Sequence, residues 1–274
     1  MPAYYNEIEP YAAQWLRNLI AAGLIASGDV DERSIVDVRP DDLTGYTQCH
    51  FFAGLGGWSY ALRLAGWPDD RPMWTGSCPC QPFSAAGKGG GFADERHLWP
   101  SWFHLISICR PPVIVGEQVA SGPAGAWCDL VQDDLEALGY AFGAVPLPAA
   151  SVDSPHIRDR LWWVADASRA GLPPRERQDL QGEGWGREGR AAQQRGEAHG
   201  GLVGPARWAG ADDPGWADPD WLFCRDGKWR PVEPGTFPLA HGVPARVGRL
   251  RAYGNAIAPQ VAAEFIRAYL DCRP

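Results

Sequence analysis

The sequence predicts an α/β protein built on a parallel, doubly wound sheet, and three features point that way. Short apolar runs of strand length occur at residues 47–52, 71–77, 112–116 and 160–165. Stretches with helical spacing at 10–25, 58–64, 127–138 and 261–270 alternate with them. Glycine or polar residues stand where the strands end, as in sheets that hold ligands along their carboxyl edge.

Size and composition narrow the class. A chain of 274 residues with 45% hydrophobic content supports one substantial core plus a small appended region. No basic, apolar leader and no long unbroken apolar run is found, which predicts an intracellular, cytoplasmic or DNA-associated protein outside the membrane. Seven scattered cysteines, an odd number, read as free thiols rather than a disulfide framework. The net charge of −8 excludes a uniformly basic nucleic-acid coat. Charge is uneven, however: residues 1–45 carry eight acidic and three basic side chains. Residues 225–251 carry Arg225, Lys228, Arg230, Arg246, Arg249 and Arg251 against Asp226 and Glu233, which leaves room for a local phosphate-binding face. The fourteen tryptophans read mainly as packing groups.

In chain order, Tyr4-Tyr5-Asn6-Glu7-Ile8 reads as a strand stopped by Pro10. A helix then follows over 10–25, with Tyr11, Trp15, Leu19 and Ala22 as its apolar stripe. Gly28-Asp29-Val30 marks a turn beside another strand end. The strand at 47–52 meets Phe52-Ala53-Gly54-Leu55-Gly56-Gly57, and a helix from Trp58 follows. Such a glycine-rich turn lets backbone approach a ligand where a Cβ would clash. Taken alone it fits a nucleoside cofactor site, NAD included, or a tight structural turn. The strand at 71–77 runs into Cys78-Pro79-Cys80-Gln81-Pro82, and that at 112–116 ends at Glu117. Residues 166–235 show no clean period and read as a small irregular subdomain or an insertion.

Beyond the turn the motifs become specific. Phe52 to Gly57 resembles the first motif of the DNA cytosine-C5 methyltransferase family, and Pro79-Cys80-Gln81 resembles its catalytic loop. Glu117-Gln118-Val119 is similar to its Glu-Asn-Val motif, and Arg158-Asp159-Arg160 to its Arg-x-Arg element. Gly254-Asn255-Ala256-Ile257-Ala258-Pro259 is similar to its Gly-Asn-Ser-Val-x-Pro element. The acidic motifs that usually follow the glycine turn have no room before Cys80. They are matched instead at the front, by the segments around Glu7 and Asp29, so the second and third strands of the family precede its first.

The resemblance implies a Rossmann-like S-adenosylmethionine-dependent methyltransferase sheet with a small inserted target-recognition region. It divides the chain into a locally permuted catalytic and cofactor-binding core at 1–165, a candidate target-recognition region at 166–236, and a return to the core at 237–274. It implies that S-adenosylmethionine lies against Glu7, Ile8, Asp29, Phe52, Ala53, Gly54, Leu55, Gly56, Gly57, Pro79, Asn255 and Ala256. Within that set, Glu7 takes the ribose and Asp29 the adenine amino group.

It also implies a catalytic set of Cys80, Glu117, Arg158 and Arg160. The chemistry asks for these types: cytosine C5 becomes nucleophilic only once a thiolate adds at C6, and an acid must stabilise charge on the ring. Gln118 stands for the usual asparagine and His156 for the usual glutamine. Cys78 lacks the second Cys/His pair of a zinc site, so no metal is expected. The expected partner is double-stranded DNA, entered by base flipping, and the protein is read as a monomer. The loop at 84–95 is a candidate cover for the flipped base, with Lys88 and Arg96 near phosphates, and Arg175, Arg177, Arg187, Arg190 and Arg195 are candidate DNA contacts. Neither His97 nor His104 is assigned as a base. Two alternatives stay open: a covalent cytosine-modifying enzyme with another donor or nucleic acid, and a catalytically silent DNA-binding homologue.

Overall fold

The computed structural model describes residues 2–79, 98–120, 122–152, 158–169, 220–223, 229–232 and 256–272. Within them the order is β1 (Ala3–Asn6), α1 (Pro10–Ala21), β2 (Gly28–Asp31), β3 (Gln48–Phe51), α2 (Gly57–Leu64), β4 (Met73–Gly76) and α3 (Trp99–Cys109). There follow β5 (Val113–Val119), α4 (Gly122–Ala137), β6 (Ala141–Pro148), β7 (Asp159–Asp166), β8 (Asp220–Phe223), β9 (Trp229–Val232) and α5 (Pro259–Asp271).

The main sheet has seven strands in the order β2-β1-β3-β4-β5-β7-β6. The first five are parallel to their neighbours. β1, β3 and β4 are buried at every position, as expected of parallel strands covered by helices on both faces. β1, α1 and β2 run outward to one edge; the chain then crosses back over β1 to β3 and proceeds through β4 and β5 to the other side. The strand order therefore reverses between β1 and β3, the place where an open α/β sheet leaves a crevice at its carboxyl edge.

The two faces carry different cores. On one, α3 and α4 bury Trp99, Trp102, Trp127, Val131 and Leu135 with Phe51, Trp74 and Trp163 of the sheet. On the other, α2 and α5 bury Trp58, Leu62, Val261 and Phe265 with Val115 and Trp162, while α1 sets Leu16 against Ala3, Tyr5 and Ala53.

Four sequence expectations need correction. The helix from Pro10 ends at Ala21, and its buried face is Ala12, Ala13 and Leu16, while Trp15 is exposed. β7 pairs antiparallel with both β5 and β6, so the sheet is mixed rather than wholly parallel. β6 and α3 were not expected at all. Within 166–236, β8 and β9 form an antiparallel pair.

Candidate active site

The carboxyl ends of β1 and β3 meet through the glycine turn. Ala53 N–H donates to the Asn6 carbonyl at 3.0 Å, and Gly54 N–H donates to Glu7 Oε2 at 2.7 Å. The other carboxylate oxygen of Glu7 accepts from Glu9 N–H at 2.9 Å. Burial pushes the Glu7 pKa up, and the two backbone donors partly offset it. A carboxylate offers about four acceptor positions, so Glu7 retains capacity for two further hydroxyl donors. Ile8, next along, is 64% exposed and presents an apolar surface at the same edge.

The turn itself uses positive φ at Phe52 (52°), Gly54 (55°) and Gly56 (82°). Phe52 is not a glycine, so its backbone is strained, as often happens where a turn is shaped for a ligand. A Cβ on Gly54 would find its nearest atom only at 4.0 Å, so the backbone there faces open space. At Gly57 a Cβ would come within 2.7 Å of Ile257 Cγ1, so its absence lets the segment before α5 close onto the turn. Ala256, beside it, gives its carbonyl to Arg158 Nη2. Leu55 is half-buried and Ala53 buried between these contacts.

Asp29 is not brought to this edge with Glu7. It pairs in register with Tyr4, inside β2, is exposed, and accepts from the Tyr46 hydroxyl at 2.9 Å. Asp31 occupies the carboxyl end of β2, opposite Asn6. At roughly 3.3 Å per residue Asp29 stands two residues, about 7 Å, behind that edge. Asp31 is itself engaged, accepting from the Tyr4 hydroxyl at 2.7 Å and from Arg33.

A second cluster lies across the sheet. Glu117, near the end of β5, is 8% exposed and pairs with Arg160 Nε at 2.7 Å. Burial raises its pKa; Arg160, Arg158 and the Ser77 hydroxyl pull the other way, and the net direction is upward. Arg158 takes positive φ (38°), and burial beside Arg160 lowers its pKa. Gln118 Nε2 reaches the Cys78 carbonyl at 3.5 Å, bracing the segment that leads through exposed Pro79 toward Cys80. Glu117, Arg158 and Arg160 thus lie together at this edge of the sheet. Ser77 and Trp58, whose indole Nε1 donates to Ser77 Oγ at 3.0 Å, were not foreseen, because neither belongs to a recognisable motif.

Cys80, Asn255, His97, His156, the loop at 84–95 with Lys88 and Arg96, the arginines at 175–195, and the side chains of the basic run at 225–251 lie outside the described residues. Among the described residues, no group of three or more His, Cys, Asp or Glu is placed to hold a metal ion, and no helix is long and apolar enough to cross a membrane. A cavity of about 320 Å³ lies at the opposite, amino edge, lined by Pro40, Thr47, Trp74 and Pro112 among others, away from both clusters.

Residues 66–179 match the family described as C-5 cytosine-specific DNA methylase. The chain is 27% identical over 171 residues to the Type II methyltransferase M.HhaI of Haemophilus parahaemolyticus, covering 47% of this chain and 52% of that protein. It is 26% identical over 163 residues to the Type II methyltransferase M.HgiCII of Herpetosiphon aurantiacus, covering 44% and 37%. The chain thus spans about half, or less, of the length of these curated relatives. Among solved structures, a DNMT2 mutant of Spodoptera frugiperda superposes at a TM-score of 0.43 with 17% identity, over 64% of this chain and 45% of that one.

Proposed function

We propose, from the match of residues 66–179 to the C-5 cytosine-specific DNA methylase family and the similarity to Type II methyltransferases, that the chain is a DNA (cytosine-5-)-methyltransferase acting on a cytosine flipped out of double-stranded DNA. One observation adds to that similarity: a buried glutamate with a raised pKa, paired with Arg160 beside the segment at Cys78 that precedes Cys80 in the chain. Glu117 shares a proton with cytosine N3 as Cys80 Sγ adds at C6, stabilising the charge that develops on the ring; burial, which raises its pKa, favours that sharing. Arg160 orients the Glu117 carboxyl and offers its remaining N–H groups to the ring oxygen. Arg158 fixes the C-terminal segment against the glycine turn through Ala256. After methyl transfer, loss of the C5 proton restores the double bond and releases the Cys80 thiolate.

The residues at the switch point fit S-adenosylmethionine better than a dinucleotide. The Glu7 carboxylate already takes the Gly54 N–H, so a pyrophosphate there would be repelled by its negative charge, whereas a sulfonium cation would be attracted. Glu7 would take the ribose hydroxyls, Ile8 would pack on the adenine, and the open backbone at Gly54 would lie beside the methionine part. When bound, S-adenosylmethionine supplies the methyl group for C5. Residues 166–236, with the β8–β9 pair, are proposed to read the target sequence.

The test is transfer of a labelled methyl group from S-adenosylmethionine to unmethylated double-stranded DNA, with the product base identified by mass. 5-Methylcytosine is expected; a modified base in RNA alone, or none with folded protein and varied DNA, would overturn the assignment.

A further inference from the structure

Trp58 is the second residue of α2, directly after the glycine turn, and is 2% exposed. Its ring is pinned edge-on against Trp162 at a centroid distance of 5.5 Å, and its Nε1 donates to Ser77 Oγ at 3.0 Å. An indole N–H can only donate, so the serine oxygen is the acceptor in that bond. The Ser77 hydroxyl has one proton of its own, and the indole leaves it free to point elsewhere. Gly76 and Gly116 are Cα partners in the β4–β5 register, so Ser77 and Glu117, the next residues, stand side by side at the carboxyl edge. Strand alternation puts both on the face covered by α2 and α5, the face on which Trp58 and Trp162 pack. Ser77 thus stands beside the Glu117 carboxyl on the β4 side, and Arg160 holds Oε1 of the same carboxyl from the β7 side.

We propose that Ser77 is a positioning residue for Glu117, its hydroxyl proton directed onto the carboxyl by the Trp58 indole. The inference rests on the role given to Glu117 above. It makes one side-chain chain, Trp58 to Ser77 to Glu117, between the helix that opens the glycine turn and the acid that serves the base. Two donors from opposite sides, Ser77 and Arg160, then fix the plane of the carboxyl group that must meet cytosine N3.

The test is a carbon-13 NMR titration of glutamate-labelled protein, with Glu117→Gln assigning the signal, run beside pH profiles of methyl transfer. Removing a donor to the carboxylate favours its protonated form. Ser77→Ala should therefore move the Glu117 midpoint to higher pH and carry the alkaline limb of turnover with it. Trp58→Phe should move both the same way by less, and Trp58→Phe/Ser77→Ala should match Ser77→Ala alone. Ser77→Thr, which keeps the hydroxyl, should restore the wild-type midpoint. In Ser77→Ala, kcat should fall about tenfold, the scale of one hydrogen bond to a charged group, with KM for DNA unchanged. An unmoved midpoint in folded Ser77→Ala, or a Trp58→Phe shift that persists in full without Ser77, would overturn the proposal. If Trp58→Phe fails to fold, the alanine and threonine variants at position 77 decide it. Wild-type protein that transfers no methyl group would defeat the reaction assigned to Glu117, while the titration would still judge the contact with Ser77.

Discussion

Gly116 lies against the Trp163 indole so closely that a Cβ would come within 2.2 Å of the ring. The ring has nowhere to go: it stacks on Phe142 at 5.7 Å and packs against Trp102 at 5.8 Å and Trp99 at 6.2 Å. Gly116→Ala must therefore displace β5 itself, and with it Glu117. The expected cost is about 2 kcal/mol, within the usual range for overpacking a filled core. Urea unfolding reads it, and a loss below about 0.5 kcal/mol would mean that the strand relaxes freely.

Arg160 and Glu117 have side-chain exposures of only 21% and 10%. Arg160→Gln leaves a buried carboxyl with one fewer partner and should destabilise the fold by roughly 3 kcal/mol. Adding Glu117→Gln removes the orphaned charge and should recover part of that loss. If the double variant is as unstable as the sum of the singles, the two side chains are not coupled.

His50 sits in the middle of the sheet, stacked on Tyr5 at 4.9 Å, with Nδ1 2.8 Å from Thr75 Oγ1 and Nε2 without a partner. Burial lowers its pKa from 6.5 to about 3. The native state holds it neutral while the unfolded chain binds the proton, so its contribution falls away as pH drops from 6.5 toward 3. Glu7 and Glu117, whose pKa values are raised, act oppositely and lose stability as pH rises above the ordinary carboxylate range. Comparing wild type with His50→Leu separates the two. The variant should show a shallower loss of stability between pH 6.5 and 3, and parallel curves would argue against a neutral buried imidazole.

Glu7 and Asp29 are expected to differ. Glu7→Ala removes the carboxylate at the switch point and should weaken S-adenosylmethionine binding at least tenfold, about 1.4 kcal/mol. Asp29→Ala, two residues behind the edge, should change affinity by less than about twofold, or about 0.4 kcal/mol. Calorimetric titration of the donor checks both; equal losses would restore Asp29 to the adenosine site.

Cys80→Ala should abolish methyl transfer while leaving the unfolding midpoint near wild type. Wild-type protein should form a covalent adduct with DNA carrying 5-fluorocytosine, visible on a denaturing gel. Turnover by the alanine variant at a comparable rate would exclude the thiol as nucleophile.

Much of the site was legible because its residues fall in short local motifs: a glycine turn after a strand, Pro79 before Cys80, Glu117 at a strand end, two arginines flanking Asp159. What escaped had a physical cause in each case. β6 carries Pro146 and Pro148, which speak against a strand but are tolerated at the sheet edge that β6 occupies. α3 holds Pro100 in its first turn, where a helix has no use for the missing N–H. In α1, the small Ala12 and Ala13 form the buried face because the helix packs close to the sheet, and the larger Trp15 is left outside. Asp29 stands in the segment that resembles the family's third motif, yet only the strand register shows that β2 runs on to Asp31.

The sequence by itself determined the alternation of strands and helices, the glycine turn and the acidic and basic residues gathered into motifs, since these depend on local periodicity and backbone preference. The tertiary structure decided that β3 lies between β1 and β4, that β7 runs antiparallel to β5, and that Glu7 meets Gly54 from 47 positions away. Those are matters of crossing direction and register, set by how helices cover the two faces of the sheet. Such packing is a property of the whole chain, and it is also what aims the Trp58 indole at Ser77.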